Sequence, residues 1–262
     1  MPDTLARLAI VGPGLIGTSV ALAAKRRWPG VDVRTIDRGE SLTPIGDATV
    51  VVLAAPVDAI IGILPKLAPI ITSHTLVLDT GSTKQSIMRA AAAANIPQFV
   101  GGHPMAGGTT SGPGGARADL FDGRPWFLTN PDAPGAVRRA IAFVEALGAH
   151  AVPLSDHGQE HDRLMAAVSH LPQVTASALM IAVARAIGDD NLKWAGNGLR
   201  DTTRLAGSGA DMWESVLATN SQELKPLLEA LAADLAALAD QLEDRDAVRR
   251  FFDEAARAKS LL

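Results

Sequence analysis

Three glycines near the start of the chain constrain its fold more than any other feature. Gly12, Gly14 and Gly17 form G-x-G-x-x-G within "VGPGLIG". The residues before them, RLAIV, read as a short buried strand. The residues after them, TSVALAAKRRW, have helical spacing and good helix formers. Asp37 lies 20 residues beyond Gly17, at the end of a second predicted strand, VDVRTID. Strand, glycine turn, helix and a following acid make the full context of a dinucleotide-binding βαβ unit. The glycines permit a tight turn and close backbone approach. The helix N-terminus then offers unpaired N–H groups to a pyrophosphate. Asp37 can accept hydrogen bonds from ribose hydroxyls and would repel a 2′-phosphate, which favours NAD over NADP. Arg38 argues the other way, because an arginine there can hold that phosphate. The candidate cofactor residues are Gly12, Gly14, Leu15, Ile16, Gly17, Asp37, Arg38, Ala55 and Pro56.

The same alternation continues along the first half. Apolar runs at 48–56, 74–82 and 98–104 read as strands, and "RPWFLTN" and "HAVPL" as two more, with Ala-rich helical segments between most of them. Such a pattern implies right-handed crossovers and a mostly parallel sheet. "GGTTSGPGGARAD" (107–119) predicts a loop. Near Pro153 the pattern changes. Helices are predicted over 155–187, 189–206, 211–242 and 244–260, with no further strand. The chain therefore divides into an α/β half and an all-helical half, at about residues 153/154.

Composition removes several function classes. The chain contains neither cysteine nor tyrosine. Disulfides, thiolate catalysis and Cys-ligated zinc are excluded, as is a tyrosine proton carrier. A net charge of -4 gives no nucleic-acid footprint and no polybasic membrane patch. The opening residues lack the pattern of a signal peptide, and no apolar run matches the length of a membrane span. The expectation is a cytoplasmic protein with a small-molecule substrate, no nucleic acid and no membrane.

In open α/β sheets, ligands bind beyond the carboxyl ends of the strands. "DTGSTK" places Ser82 just past one strand, at a predicted helix N-cap, and "GGHP" places His103 just past the next. A lone histidine is ordinarily a satisfied structural group. At this strand end, beside two glycines, the catalytic reading of His103 is preferred: a neutral imidazole can take a proton from an alcohol as hydride leaves. Ser82 reads either as a cap alone or as a cap that also contacts substrate. In the helical half stand His170 in "VSHLPQ" and Arg200, Asp201 and Arg204 in "GLRDTTR". Arg204 reads either as a carboxylate clamp or as an ordinary ion-pair partner. His157 and His161 are four apart, as two metal ligands on a helix would be. "HGQEHD" reads more simply as a solvated first helical turn, and no metal is expected.

Together these pieces resemble the prephenate/arogenate dehydrogenase family of tyrosine biosynthesis. The matching stretches are "VGPGLIGTSVALA", "DTGSTK", "GGHPMAG", "LFDGRPWFLT", "EHDRLMAAVSHLPQ" and "GLRDTTRLAGS", in order from residue 11 to residue 208. The resemblance implies a Rossmann-type α/β NAD-binding domain over 1–153. It also implies an all-α substrate and dimerisation domain over 154–262, giving a homodimer. It implies oxidative decarboxylation of a cyclohexadienol, with His103 as base, Ser82 orienting it, Arg204 holding a substrate carboxylate and His170 lining the pocket. Two departures bear on substrate. Gly108, Thr109 and Thr110 stand where many prephenate-using relatives carry an acid, and Asn197 lies in a stretch that is often Gly-rich. Thr109, Asn197 and Arg200 are therefore candidate substrate-reading residues. Prephenate, arogenate and an amino-deoxy analogue all remain open. The β-hydroxyacid dehydrogenases also join such a domain to helices, but they use a lysine where "GNGLRDTTR" offers arginines. A non-catalytic NAD-binding regulator is the reading outside enzymes.

Overall fold

The computed structural model describes residues 4–107 and 112–262. Seven strands form one sheet: β1 (Arg7–Val11), β2 (Asp32–Ile36), β3 (Val50–Leu53), β4 (Leu76–Asp79), β5 (Phe99–Pro104), β6 (Pro125–Thr129) and β7 (His150–Leu154). Their order is β2-β1-β3-β4-β5-β6-β7. All neighbours are parallel except β5 and β6. The exception has a topological cause. A parallel neighbour needs a crossover, usually a helix. Between Pro104 and Pro125 the described residues hold only a 3-10 turn, Pro113–Gly115, so β6 returns antiparallel.

Alternate residues of the parallel strands feed two apolar layers. Leu8, Ile10, Val50, Val52, Leu76 and Leu78 face α1 (Leu15–Arg27) and α4 (Pro134–Ala146), where Val20, Phe143 and Val144 cover them. Ala9, Val11, Val51, Leu53 and Val77 face α2 (Val57–Leu67) and α3 (Gln85–Ala93), through Ile60, Leu64 and Ile87. Burial on both faces explains why these strands read as unbroken apolar runs rather than as alternating ones.

The chain divides into two compact units: Met1–Met165 with Ser208–Asn220, and Ala166–Gly207 with Ser221–Leu262. The first unit thus includes α5 (Gln159–Met165) and α8 (Ala210–Thr219), with α8 packed on α2. The amide of Asn220, just after α8, donates to the carbonyl of Asp162 on α5 at 2.8 Å.

The second unit is helical. It holds a π-helical turn (Ala166–His170), α6 (Leu171–Ile187), α7 (Asn197–Thr202), α9 (Ser221–Asp240) and α10 (Arg245–Lys259). The long helices predicted from sequence are interrupted. Pro172 has no N–H to give back to the preceding turn, and the widened π turn lies directly ahead of it. The 189–206 segment breaks into a 3-10 stretch (Asp189–Trp194), α7 and a second 3-10 turn (Arg204–Gly207). Asn220 ends α8, so 211–242 is two helices. Asp244 caps α10 by accepting from the N–H groups of Asp246 and Ala247. Helix 159–187 as a whole is long and apolar enough to cross a membrane by length and composition, contrary to the sequence expectation that no run reaches that length. Only 22% of its apolar window is buried, although its first turn carries the fully buried His161 and Asp162.

Candidate active site

Strand order reverses at β1, and a cleft of about 930 Å³ opens at the carboxyl ends of β1, β2 and β3. Gly12, Gly14, Asp37, Arg38, Ala55 and Pro56 line it. The glycines let a cofactor approach the backbone closely. Gly12 has φ +95°, and a Cβ there would stand 2.4 Å from the carbonyl oxygen of Ala54. Gly14 is the N-cap of α1 and makes no side-chain capping bond, so the first N–H groups of the helix are left for a ligand. Gly17 serves packing: a Cβ there would meet the Gly12 carbonyl at 2.2 Å. Leu15 and Ile16 rest against the core beneath the turn. Glu40 also lines the cleft, and its carboxylate accepts the Asp37 N–H at 2.7 Å. Sequence reading missed Glu40. Two carboxylates at this end oppose a 2′-phosphate more strongly than Asp37 alone, and Arg38 lies between them in the chain.

At the ends of β4 and β5 the polar groups are tied together inside the protein. Asp79, fully buried, accepts from the N–H of Gly81 at 2.8 Å and the N–H of Gly102 at 2.9 Å. It also pairs with the ammonium of Lys84, which is equally buried. Burial holds the Lys84 pKa below its ordinary value, and the Asp79 charge works against that shift. The glycines beside His103 make room for this cluster. A Cβ on Gly102 would reach within 2.4 Å of the Asp79 carbonyl, and one on Gly101 would press on Met88 and Lys84.

Ser82 stands in the bend after β4 and is half-buried. It is not the predicted helix cap. Helix α3 starts at Gln85 with Lys84 as N-cap, and no side chain of that segment caps it. Asp162 does so from α5, accepting the N–H groups of Lys84 at 2.7 Å and Gln85 at 2.9 Å. A carboxylate there also meets the positive end of the helix dipole.

His103 is half-buried at the end of β5 and pairs across the sheet with Phe127. Its Nδ1 lies 2.9 Å from Nε2 of His161, whose Nδ1 lies 2.8 Å from the carboxylate of Asp162. His161 and Asp162 are fully buried, which corrects the reading of "HGQEHD" as a solvated turn. Burial lowers the His161 pKa, with the Asp162 hydrogen bond opposing. At neutral pH this burial favours the uncharged imidazole. His157 is exposed and faces Asp132 at 3.5 Å. The two histidines point to different surroundings, and no group of three or more metal-ligating side chains occurs among the described residues. A signal for His161 and Asp162 existed in the matching stretch "EHDRLMAAVSHLPQ", but nothing local distinguished them from a surface turn.

The remaining candidates belong to the second unit. His170 is buried at the end of the π turn, while Asn197, Arg200 and Arg204 are exposed. Gln173 on α6 donates to the carbonyl of Leu205 at 2.8 Å, which anchors the 3-10 turn that begins with Arg204. Arg200 donates to the Ala195 carbonyl. Thr109 lies outside the described residues.

Comparison with known proteins agrees with this architecture. Residues 18–153 match the family model "Prephenate dehydrogenase, nucleotide-binding domain", and residues 157–254 match "Prephenate dehydrogenase, dimerization domain". The chain is 31% identical to cyclohexadienyl dehydrogenase of Zymomonas mobilis, over 97% of this chain and 95% of that one. It is also 31% identical to prephenate dehydrogenase of Bacillus subtilis, over 96% of this chain and 73% of that one. Among solved structures, Synechocystis arogenate dehydrogenase superposes with TM-score 0.81 at 26% identity, covering 97% of this chain and 99% of that one. Prephenate dehydrogenase from A. aeolicus, in complex with hydroxyphenyl propionate and NAD+, shares the fold with TM-score 0.89 at 22% identity, covering all of both chains. With both family models matched in order across most of its length, the chain belongs to the prephenate dehydrogenase family, an oxidoreductase joining a nucleotide-binding domain to a helical dimerisation domain.

Proposed function

We propose that this protein catalyses the NAD-dependent oxidative decarboxylation of prephenate to 4-hydroxyphenylpyruvate, with His103 as the base. The observation that carries the proposal is the placement of His103. It stands at a strand end of the sheet, half-exposed on one side and hydrogen-bonded to a buried neutral imidazole on the other. That is a proton acceptor with a fixed orientation.

NAD+ would be held by the Gly12–Gly14 turn, the α1 N-terminus, Asp37 and the Ala55–Pro56 edge, and when bound it supplies the hydride acceptor. His103 takes the proton of the ring hydroxyl as the hydrogen on that carbon departs. The bond to the ring carboxylate then breaks, carbon dioxide leaves, and its electron pair completes the aromatic ring. The phenolate recovers a proton, so none is consumed overall. Aromatisation makes the conversion effectively irreversible. Ser82, one bend beyond β4, hydrogen-bonds the hydroxyl and helps to orient His103. Arg204 and His170 supply the carboxylate clamp and the pocket wall, with Arg200, Asn197 and Thr109 reading the substrate side chain.

The assembly in this reading is a homodimer through the helical domain, acting in the cytoplasm. The dimerisation match supports the former, as do Ile181, Leu235, Trp194 and Phe252, which leave 51%, 53%, 78% and 63% of their surfaces exposed on the second unit.

Arogenate is the second reading, favoured by the similarity to the Synechocystis enzyme. A rate assay decides: purified protein with NAD+ or NADP+, each with prephenate or arogenate, followed by absorbance of the reduced cofactor. Turnover of prephenate with NAD+ is expected. Turnover of arogenate alone would transfer the function to the second reading, and silence with all four pairs would refute both.

A further inference from the structure

We propose that His161, held by Asp162, is a positioning residue that fixes the tautomer of His103 and so leaves Nε2 of His103 as the atom that takes the proton. The inference rests on His103 being the base.

Asp162 is fully buried and accepts three hydrogen bonds: Lys84 N–H and His161 Nδ1 on one oxygen, Gln85 N–H on the other. An ionised carboxylate only accepts. His161 must therefore donate from Nδ1. A neutral imidazole with its proton on Nδ1 presents a lone pair at Nε2. That lone pair meets Nδ1 of His103 at 2.9 Å, so His103 donates there. The second nitrogen of His103 is then unprotonated and basic.

The surroundings maintain this order. The ring of Phe127 stands edge-on to His161, with centroids 5.6 Å apart and planes at 79°. His103 and His161 meet at 69°, which directs a nitrogen of one ring at a nitrogen of the other. The charged groups near His161 are Asp162, Asp79 and Lys84, and Asp79 and Lys84 pair with each other. Burial disfavours the charged form of His161. Were it protonated, Nε2 would become a donor and force His103 to accept at Nδ1. The proton of His103 would then sit on Nε2, the wrong atom for a base. A histidine free in water favours the proton on Nε2, so the required tautomer has to be imposed. When His103 gains a proton, its Nδ1–H bond to His161 becomes charge-assisted. The buried negative charge of Asp162 behind His161 attracts the new positive one and stabilises it.

The test is a long-range proton–nitrogen NMR correlation on protein labelled with ¹⁵N-histidine, at a pH where the imidazoles are neutral. The His103 signals are assigned by their loss in His103→Asn. The expected result is a protonated, pyrrole-type Nδ1 and an unprotonated, pyridine-type Nε2 for His103, and the same pattern for His161. A wild-type His103 with its proton on Nε2 overturns the proposal. This measurement needs no variant of His161 to fold and no turnover. A chain showing the expected tautomer yet inert to every substrate would support the positioning pair and refute the functional reading.

Kinetics supply the second arm. His161→Leu should lower kcat by roughly 10- to 100-fold, the range for losing an outer partner of a functional imidazole. KM and the dissociation constant for NAD+ should stay unchanged. His161→Gln, whose amide oxygen can accept from His103 Nδ1–H, should restore most of the loss. A folded His161→Leu protein with full kcat, or a Gln variant no better than Leu, overturns the role.

Discussion

The carboxylate of Asp79 accepts the backbone N–H of Gly102 at 2.9 Å, one residue before His103. The same carboxylate holds Gly81 and the buried Lys84. The bend bearing Ser82 and the strand end bearing His103 are thus fastened to one charged group with no solvent to screen it. The position of His103 depends on a buried ion pair that does not itself face the cofactor cleft.

Lys84→Met should therefore be costly. It leaves Asp79 as an uncompensated charge in the interior, for a loss of about 3–5 kcal/mol. Asp79→Asn combined with Lys84→Met should be more stable than Lys84→Met alone, because the neutral amide keeps an acceptor without the stranded charge. Urea unfolding of the single and double variants measures both. Equal stabilities would show that charge is not the cause.

Gly102→Ala tests the close approach directly. The new methyl would stand 2.4 Å from the Asp79 carbonyl and 3.0 Å from Leu78 Cδ1. Because the first neighbour is backbone, the end of β5 must move. A destabilisation of about 1–3 kcal/mol is expected, with a fall in kcat and unchanged NAD+ affinity, since the cofactor turn lies at β1 and β3. Calorimetric titration with NAD+ beside steady-state kinetics separates the two effects. Weakened NAD+ binding with normal kcat would contradict the assignment.

His103→Asn removes the base while keeping a polar side chain of similar reach. Turnover should fall by roughly 10²- to 10⁴-fold, with NAD+ bound as before. Near-normal turnover would remove His103 from the mechanism.

Stability should also depend on pH through His161. Its folded pKa lies below the ordinary value of about 6.5, because burial disfavours the cation. As pH falls below about 6.5, the unfolded chain binds a proton that the folded protein refuses. Stability then declines, by at most about 1.4 kcal/mol per pH unit, until the folded pKa is passed. His161→Gln should remove this component. Unfolding free energies of the two proteins measured at several pH values from about 7.5 downward give the comparison, and parallel curves would show that His161 does not titrate in this way.

Local rules carried the sequence reading a long way. The glycine turn between strand and helix, with Asp37 at the end of β2, specifies the cofactor cleft because every element of that unit lies within one short stretch. The unbroken apolar runs of β1, β3 and β4 announce strands covered on both faces. "GGHP" at a strand end marks His103. Each of these depends on residues close in sequence, whose periodicity and backbone needs are visible without knowledge of the fold.

Contacts between distant residues were decided only in three dimensions. Asp162 caps α3 from 77 residues away, as its bond to Gln85 shows, and that displaced Ser82 from the cap. His161 reaches His103 across 58 residues. "HGQEHD" has the composition of a solvated helix start, and burial inverted the meaning of its last two residues. A charged or polar side chain carries no local mark of the partner that will desolvate and satisfy it. Sequence determined where the nucleotide turn and the base would stand. Tertiary packing determined which buried groups hold that base, because the energy of a buried polar group depends on what surrounds it rather than on what adjoins it in the chain.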